Sequence, residues 1–404
     1  MAAAVRKKAV LGGVLAIVSA MVVVAPPAGA GVATTYQVQV GAPLFAEPLA
    51  RGAPADGMRF YTPDLTVHQG DTVRFNLAGF HTATLLPANT DADAWVAANA
   101  GDFGKPFSLI GPDPDEALGS AKFNNAALLP VPLDCGRPSD PCVYEGSTVV
   151  NSGVLNPDNL NARSVSFSAT IDADPGDVVS FLCLVHINMR GSLTVAGDTE
   201  PASTQAEIDQ YRDRRVARDA RAASRLHREL LAEGQDGGRI VDAFAGVDGP
   251  GFSLLEFYPR TLHLDEGQRV RWHFDELIFE DHTVTFPLKK GLRIANRSFV
   301  PVCDTDGDAG STPDEDADFT STTAAGLCPG GVAELEFDVD RRFGLPAGDG
   351  VVTGSRDFES SGIAGANVTD AGTYVLRFDA ASGPRPFKFL CLIHPFMQGE
   401  VLVA

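Results

Sequence analysis

The sequence predicts an all-β chain in which two related β-sandwiches are joined by one long helix, and three observations carry this reading. Short alternating runs, TYQVQV, DTVRFNL, SVSFSATI, DVVSFLCL, QRVRWHF and TYVLRF, have the period-2 pattern of half-buried strands, and 41 Gly and 27 Pro punctuate them. The chain also repeats itself: FLCLVHINMRGSLTV at 181–195 returns as FLCLIHPFMQGEVLV at 389–403, at a constant offset of 208. One stretch alone, near 205–233, has helical spacing. At 404 residues, 44% hydrophobic and 21% charged, the chain is long enough for two cores and too apolar for general disorder.

Taken in order, residues 1–30 read as a signal peptide. Arg6, Lys7 and Lys8 form a basic start, an apolar run follows from Ala9 to Ala25, and Ala28-Gly29-Ala30 supplies a small-residue cleavage pattern. The expectation is an exported protein of the periplasm, cell surface or extracellular space, with no membrane insertion once the signal is removed. The first sandwich is expected over 31–197 and the second over 237–404. Besides the closing motif, Gly70-Asp-Thr-Val-Arg-Phe75 answers Gly267-Gln-Arg-Val-Arg-Trp272, and His81-Thr-Ala-Thr answers His282-Thr-Val-Thr. Long inserted loops separate each of these His from the downstream Cys. Between the sandwiches, 198–236 forms a helical linker. Thr204 and Glu207 make a capping box, Gly234 offers a stop, and Ile208, Tyr211, Val216, Ala220, Ala223, Leu226 and Leu230 recur at helical spacing. Such a helix either packs across one or both sandwiches or stands free as a spacer.

The repeated motif is C-x-x-H-x-x-M: Cys183, His186, Met189, and again Cys391, His394, Met397. Each copy follows a strand rich in Phe and Leu, and each has one His about a hundred residues upstream. Two imidazoles and a thiolate bind copper in a trigonal plane, and a thioether at longer range completes a blue-copper electron-transfer site. The Met argues against zinc, whose protein ligands are Cys, His and carboxylate. Two copies with the same upstream His-Thr-x-Thr make a core-only role for these residues a poor account.

On these residues the chain resembles the cupredoxin family of blue-copper proteins, and its short ligand loop looks plastocyanin- or amicyanin-like. The resemblance implies two Greek-key sandwiches, each holding one copper that cycles between Cu(I) and Cu(II). It assigns His81, Cys183, His186 and Met189 to one copper and His282, Cys391, His394 and Met397 to the other. It covers the ligand loops and neighbouring strands, not the insertions or the helix. Phe181, Leu182 and Leu184, with Phe389, Leu390 and Leu392, would form a hydrophobic shell, of which strand alternation lets only some face the metal. In the family, electrons pass at the edge of the downstream His, which lies near the surface. Its neighbours here are Ile187 and Asn188 in the first copy but Pro395 and Phe396 in the second, so the second contact patch is expected to be the more apolar.

Multicopper oxidases are similar in architecture but build an oxygen site from H-x-H pairs, and no H-x-H occurs here. Two-domain nitrite reductases place a His directly before the Cys ligand, where this chain has Leu182 and Leu390. No hydrolase or nucleotide-binding motif competes. The expected function is therefore electron transfer rather than catalysis, with non-redox copper storage or delivery and an oxidase-like enzyme as the alternatives. The net charge of −20, three units more negative after signal removal, excludes nucleic acid as a partner. It favours a transient, electrostatically steered redox partner of complementary charge.

Four Cys remain. Cys135–Cys142 and Cys303–Cys328 are the expected disulfides, because each pair is local to one inserted loop. Between the latter runs DTDGDAGSTPDEDADF, with Asp304, Asp306, Asp308 and Glu315 at calcium-loop positions 1, 3, 5 and 12. Ala309 stands where the turn wants Gly, so a solvated acidic loop at 304–319 is expected and calcium is left out of the sites.

Overall fold

The strands form where side chains alternate between core and solvent. In Thr35–Pro43, Tyr36, Val38 and Val40 point inward between half-exposed neighbours, and Thr72–Ala78 buries Val73, Phe75 and Leu77 in the same way. The computed structural model describes residues 33–44, 55–101, 104–112, 121–128, 130–132, 134–154, 164–233, 235, 237–274, 277–298, 301–303, 335–339, 343–367 and 372–404. The expected signal peptide, the acidic loop at 304–319 and the Cys303–Cys328 pairing fall outside these residues.

The protein is mostly β-sheet with few helices. One ten-stranded sheet runs through both halves, in the order Val351–Val352, Thr373–Phe378, Arg269–His273, Ile240–Gly249, Phe252–Tyr258, Ala55–Phe60, Thr35–Pro43, Thr72–Ala78, Ser164–Ile171, Cys142–Tyr144. Its middle joint pairs Ala55–Phe60 antiparallel with Phe252–Tyr258, Gly57 facing Phe252 and Ala55 facing Leu254. Residues 33–404 consequently form one compact unit rather than two beads on a string.

Each half adds a five-stranded sheet ending at the closing motif. In the first half the order is Leu65–His68, Arg190–Ala196, Val178–Leu182, Thr84–Leu85, Val150–Asn151. In the second it is Thr261–Leu264, Gln398–Val403, Phe387–Leu390, Thr285–Phe286, Glu359–Ser360. The first core gathers Phe60, Phe75 and Phe181 edge to face; the second stacks Phe286 on Phe389 and sets Trp272 edge to face against both. The insertions are not bare loops. Strands from both, Ala121–Phe123 and Leu335–Val339, pair antiparallel within a separate four-stranded sheet. Cys135 and Cys142 are disulfide-bonded, as their spacing suggests.

The helix spans Gln205–Ala232, with the capping box of Thr204 and Glu207 formed at its start. It packs across the sheet joint. Val216, Ala220, Ala223, Leu226 and Leu230 meet Leu44, Ala55, Val247, Phe252 and Tyr258, residues from both halves. Its buried Asp219 accepts from Arg59 Nε at 3.0 Å, and Arg59 also donates to the Pro250 carbonyl. His227 on this helix is buried with Nδ1 2.7 Å from the Tyr258 hydroxyl, because the helix lies on the joint rather than beside it. Thr204→Ala removes the oxygen that accepts the Glu207 N–H. It should lower stability to urea by about 1 kcal/mol without altering the metal pockets.

Candidate metal centre

In each half, local chain geometry brings a distant His onto a short loop. The upstream His follows a strand of the large sheet, and its ring lies against a glycine at a bulge in the half's first strand. Gly41 (φ +67°) interrupts the register between Val40 and Ala42, and Gly246 (φ +81°) does so between Ala245 and Val247. A Cβ on Gly41 would sit 2.3 Å from His81 Nε2, and one on Gly246 would sit 2.2 Å from His282 Nε2. Only glycine fits a bulge with this backbone and this close a ring.

The downstream ligands come from C-x-x-H-x-x-M, which closes on itself. Cys183 N–H donates to the Met189 carbonyl at 3.0 Å, and Met189 N–H to the His186 carbonyl at 2.7 Å. Cys391, Met397 and His394 make the same two bonds at the same lengths. Behind the loops, Gly191 and Gly399 leave room for the rings of Phe181 and Phe389, which face them across the strand pair.

The six His and Cys side chains assemble into two groups that could hold a metal ion. In the first, His81 Nδ1 and His186 Nδ1 are 3.0 Å apart, and Cys183 Sγ lies 4.0 and 3.5 Å from them. In the second, His282 Nδ1 and His394 Nδ1 are 3.2 Å apart, with Cys391 Sγ at 3.7 and 3.8 Å. With metal–donor bonds of about 2.0–2.3 Å, donor–metal–donor angles of about 95–135° separate the donors by about 3.0–4.0 Å, so both sets have the size for one ion. Met189 and Met397 are buried in the same apolar clusters as Cys183 and Cys391. The donor set of two imidazoles, a thiolate and a buried thioether fits copper.

The surroundings repeat as well. Thr82 N–H donates to Cys183 Sγ at 3.2 Å and Thr283 N–H to Cys391 Sγ at 3.3 Å, and each Thr hydroxyl accepts the N–H of the Leu after the cysteine at 2.7 Å. These bonds give the first Thr of the His-Thr-x-Thr repeat its place: they hold each cysteine sulfur and would draw charge from it as a thiolate. Of the apolar shell, Phe181 packs with Cys183, while Leu182 and Leu184 belong to a separate cluster with Leu86 and Trp95.

The halves differ at the outer nitrogens. His81 Nε2 lies 3.7 Å from Asp56 Oδ2. His186 Nε2 and His394 Nε2 face opposite oxygens of one carboxylate, Glu280, at 3.3 and 3.7 Å. Burial opposes charge on all these groups, and the carboxylates decide how each pocket answers. Burial would lower His81 and His186, yet Asp56, Glu280 and the cysteine outweigh it, raising His81 to about 9 and His186 well above its usual value. Burial would also raise Cys183, but the two imidazoles hold it well below the ordinary thiol range. In the second pocket burial prevails: Cys391 is pushed up to about 11, and His282 down to about 3 with the neighbouring His394 adding to the effect. Glu280 would rise by burial, but His186 and His394 hold it below the usual carboxylate range. The shifts thus favour the thiolate and the charged imidazoles in the first pocket and the neutral thiol and imidazoles in the second; a metal ion bound at either would compete with protons for the same donors.

Surface access is unequal. The family pattern leads one to expect both downstream His edges at the surface, but His186 is 3% exposed. Second-half residues cover its loop: Asn188 Nδ2 donates to the Ile278 carbonyl, and Asn367 Nδ2 to the Val185 carbonyl. The His394 side chain keeps 15% exposure beside Phe396, which is 54% exposed. Sequence reasoning missed Glu280, Asp56, Asn367 and the two bulge glycines. The signal for Glu280 was a difference between the copies, since Gly79 stands at the matching place before His81.

No family model matches the chain, and none of the curated proteins does. Among solved structures, reduced auracyanin from Roseiflexus castenholzii is similar at 16% identity and TM-score 0.18, over 41% of this chain and all of that one. The copper-containing nitrite reductase of Thermus scotoductus is similar at 12% identity and TM-score 0.20, over 92% of this chain and 68% of that one. The copper nitrite reductase of Nitrosomonas europaea gives 11% identity and TM-score 0.18, over 92% and 94%. At these TM-scores the likeness carries no argument, and the functional reading rests on the side chains. Among the described residues, no helix is long and apolar enough to cross a membrane.

Proposed function

We propose that this is an exported cupredoxin-type electron-transfer protein, each half a Greek-key sandwich holding one blue copper, His81, Cys183, His186 and Met189 in the first and His282, Cys391, His394 and Met397 in the second. The observation that carries the reading is the convergence, twice over, of two imidazole Nδ1 atoms and one cysteine Sγ in a buried pocket of the right size for one ion. Bound copper would supply a one-electron couple, since this mixed donor set suits both oxidation states. The chain's own residues do the rest. The bulge glycines and the closed loops fix the donors in place, so little rearrangement accompanies a change of charge. The Thr N–H groups stabilise the thiolate, and the buried aromatic core keeps water from the donors.

Buried ligands support a carrier over a delivery protein, which needs exchangeable sites. Leu182 and Leu390 before the cysteines, with no H-x-H pair, favour a carrier over an oxidase. The partner is a redox protein of complementary charge, meeting the acidic chain near His394 and Phe396 in a small, transient contact. Copper-loaded protein should turn intensely blue, bleach with a one-electron reductant and recover on reoxidation through repeated cycles. Bound copper that stays colourless, or that is lost on reduction, would mark a store instead.

A further inference from the structure

We propose that Glu280 joins the two centres into one unit, with His186, Glu280 and His394 forming the route by which an electron taken up at the second centre reaches the first. The inference rests on the copper reading above. Each downstream His turns Nδ1 toward its own Cys and Nε2 away from it, and both Nε2 atoms meet the same carboxylate, at 3.3 Å to Oε1 and 3.7 Å to Oε2. Two imidazole rings and one carboxylate are therefore all that separate the donor sets. The carboxylate is 5% exposed, so solvent does not compete for its oxygens.

Other residues fix this carboxylate rather than leaving it to chance. Asp248 Oδ2 accepts the backbone N–H groups of Ile278, Phe279 and Glu280, at 2.7, 2.7 and 3.3 Å. Next to Glu280, Asp281 accepts from Asn367 N–H at 2.9 Å and from its Nδ2 at 2.8 Å, and that same Nδ2 donates to the first-half carbonyl of Val185. The segment carrying Glu280 is thus pinned to the first ligand loop. The same packing closes the first centre to large partners, whereas His394 and Phe396 stay open. An acceptor that is walled in needs an internal feed, and Glu280 is in contact with a ligand His of each centre.

The step balances simply. Copper held in both donor sets would supply the one-electron couples: a donor protein would lose one electron to the set of His282, Cys391 and His394, the contact of His394, Glu280 and His186 would carry it on to the set of His81, Cys183 and His186, and a second donor encounter would replace it. No bond is made or broken, and both imidazole protons stay on Nε2.

Stopped-flow reduction of the copper-loaded chain by reduced cytochrome c, a macromolecular donor, tests this. In the wild type, the blue absorption of both centres should bleach together. In Cys391→Ser, which leaves the first centre alone, bleaching should slow by about tenfold or more. Glu280→Leu should split the bleach into a fast half and a half as slow as in Cys391→Ser. Glu280→Gln, which keeps the volume but leaves one acceptor oxygen for two N–H donors, should give a smaller split. Paramagnetic-resonance spectra of the oxidised variants show whether each centre is intact, a readout that a purely structural role would alter instead of the rate. Bleaching of either Glu280 variant in a single phase at the wild-type rate, or an equally fast first centre in Cys391→Ser, overturns the relay. A wild type without blue absorption overturns the copper reading itself.

Discussion

Cys183→Ser should cut the blue absorption of the copper-loaded protein to the contribution of the second centre and remove one copper from the metal count. The thiolate is the soft donor of the set, and a serine hydroxyl neither ionises at neutral pH nor offers sulfur. Two imidazoles and a buried Met would remain, and copper affinity at the first centre should fall by more than about 100-fold, beyond the loss typical of changing a partner behind a ligand. The substitution is nearly isosteric in a buried loop whose closing bonds are made by the backbone, so the fold should persist. The matched Cys391→Ser should leave the first centre's spectrum. Loss of both centres from either substitution would show that the pockets are not separate donor sets.

Gly246→Ala should both destabilise the second half and disturb its proposed metal centre. The residue has φ +81°, and a Cβ there would lie 2.2 Å from His282 Nε2 and 2.6 Å from Cδ2. The left-handed backbone costs about 1–2 kcal/mol for a non-glycine residue, and forcing a ring aside in a packed interior adds about 1–3 kcal/mol. The ring that must move carries a proposed ligand, so the second centre's spectrum should change along with stability. Gly267→Ala is the control, since φ there is +88° with nothing within 4 Å of the added carbon. It should show the backbone cost alone, with both centres unchanged. Urea unfolding of the metal-free proteins and visible spectra of the loaded ones measure the two effects. Equal behaviour of the two variants would mean that the bulge does not position His282.

Much of this was legible in the sequence because the repeat is chemical as well as statistical. Cys183 and Cys391, with the His and Met at fixed offsets, share a constant spacing, and a loop seven residues long leaves little freedom in where its side chains go. The helix was legible from Thr204, Glu207 and the apolar spacing that follows. What it packs on was not, since nothing local says that Ala55–Phe60 and Phe252–Tyr258 pair to continue one sheet through both halves. The burial of His227 against Tyr258 follows from that pairing. Glu280 showed only as a difference between the copies, with nothing local to say what it meets: its partners, His186 and His394, are 94 residues before it and 114 after it in the chain, and only the packing of one half on the other brings them together. Nothing in the sequence marks Gly41 and Gly246 off from the other glycines that punctuate the strands. Their role follows from a ring approaching the backbone from another strand.

The central claim, two blue-copper centres in one chain, is tested most directly by paramagnetic resonance on the fully oxidised protein together with its copper content. The account predicts two coppers per chain, both with the narrow copper hyperfine splitting of a strongly covalent thiolate site. A single copper per chain, or a second copper with the wide splitting of nitrogen- and oxygen-ligated Cu(II), would contradict it.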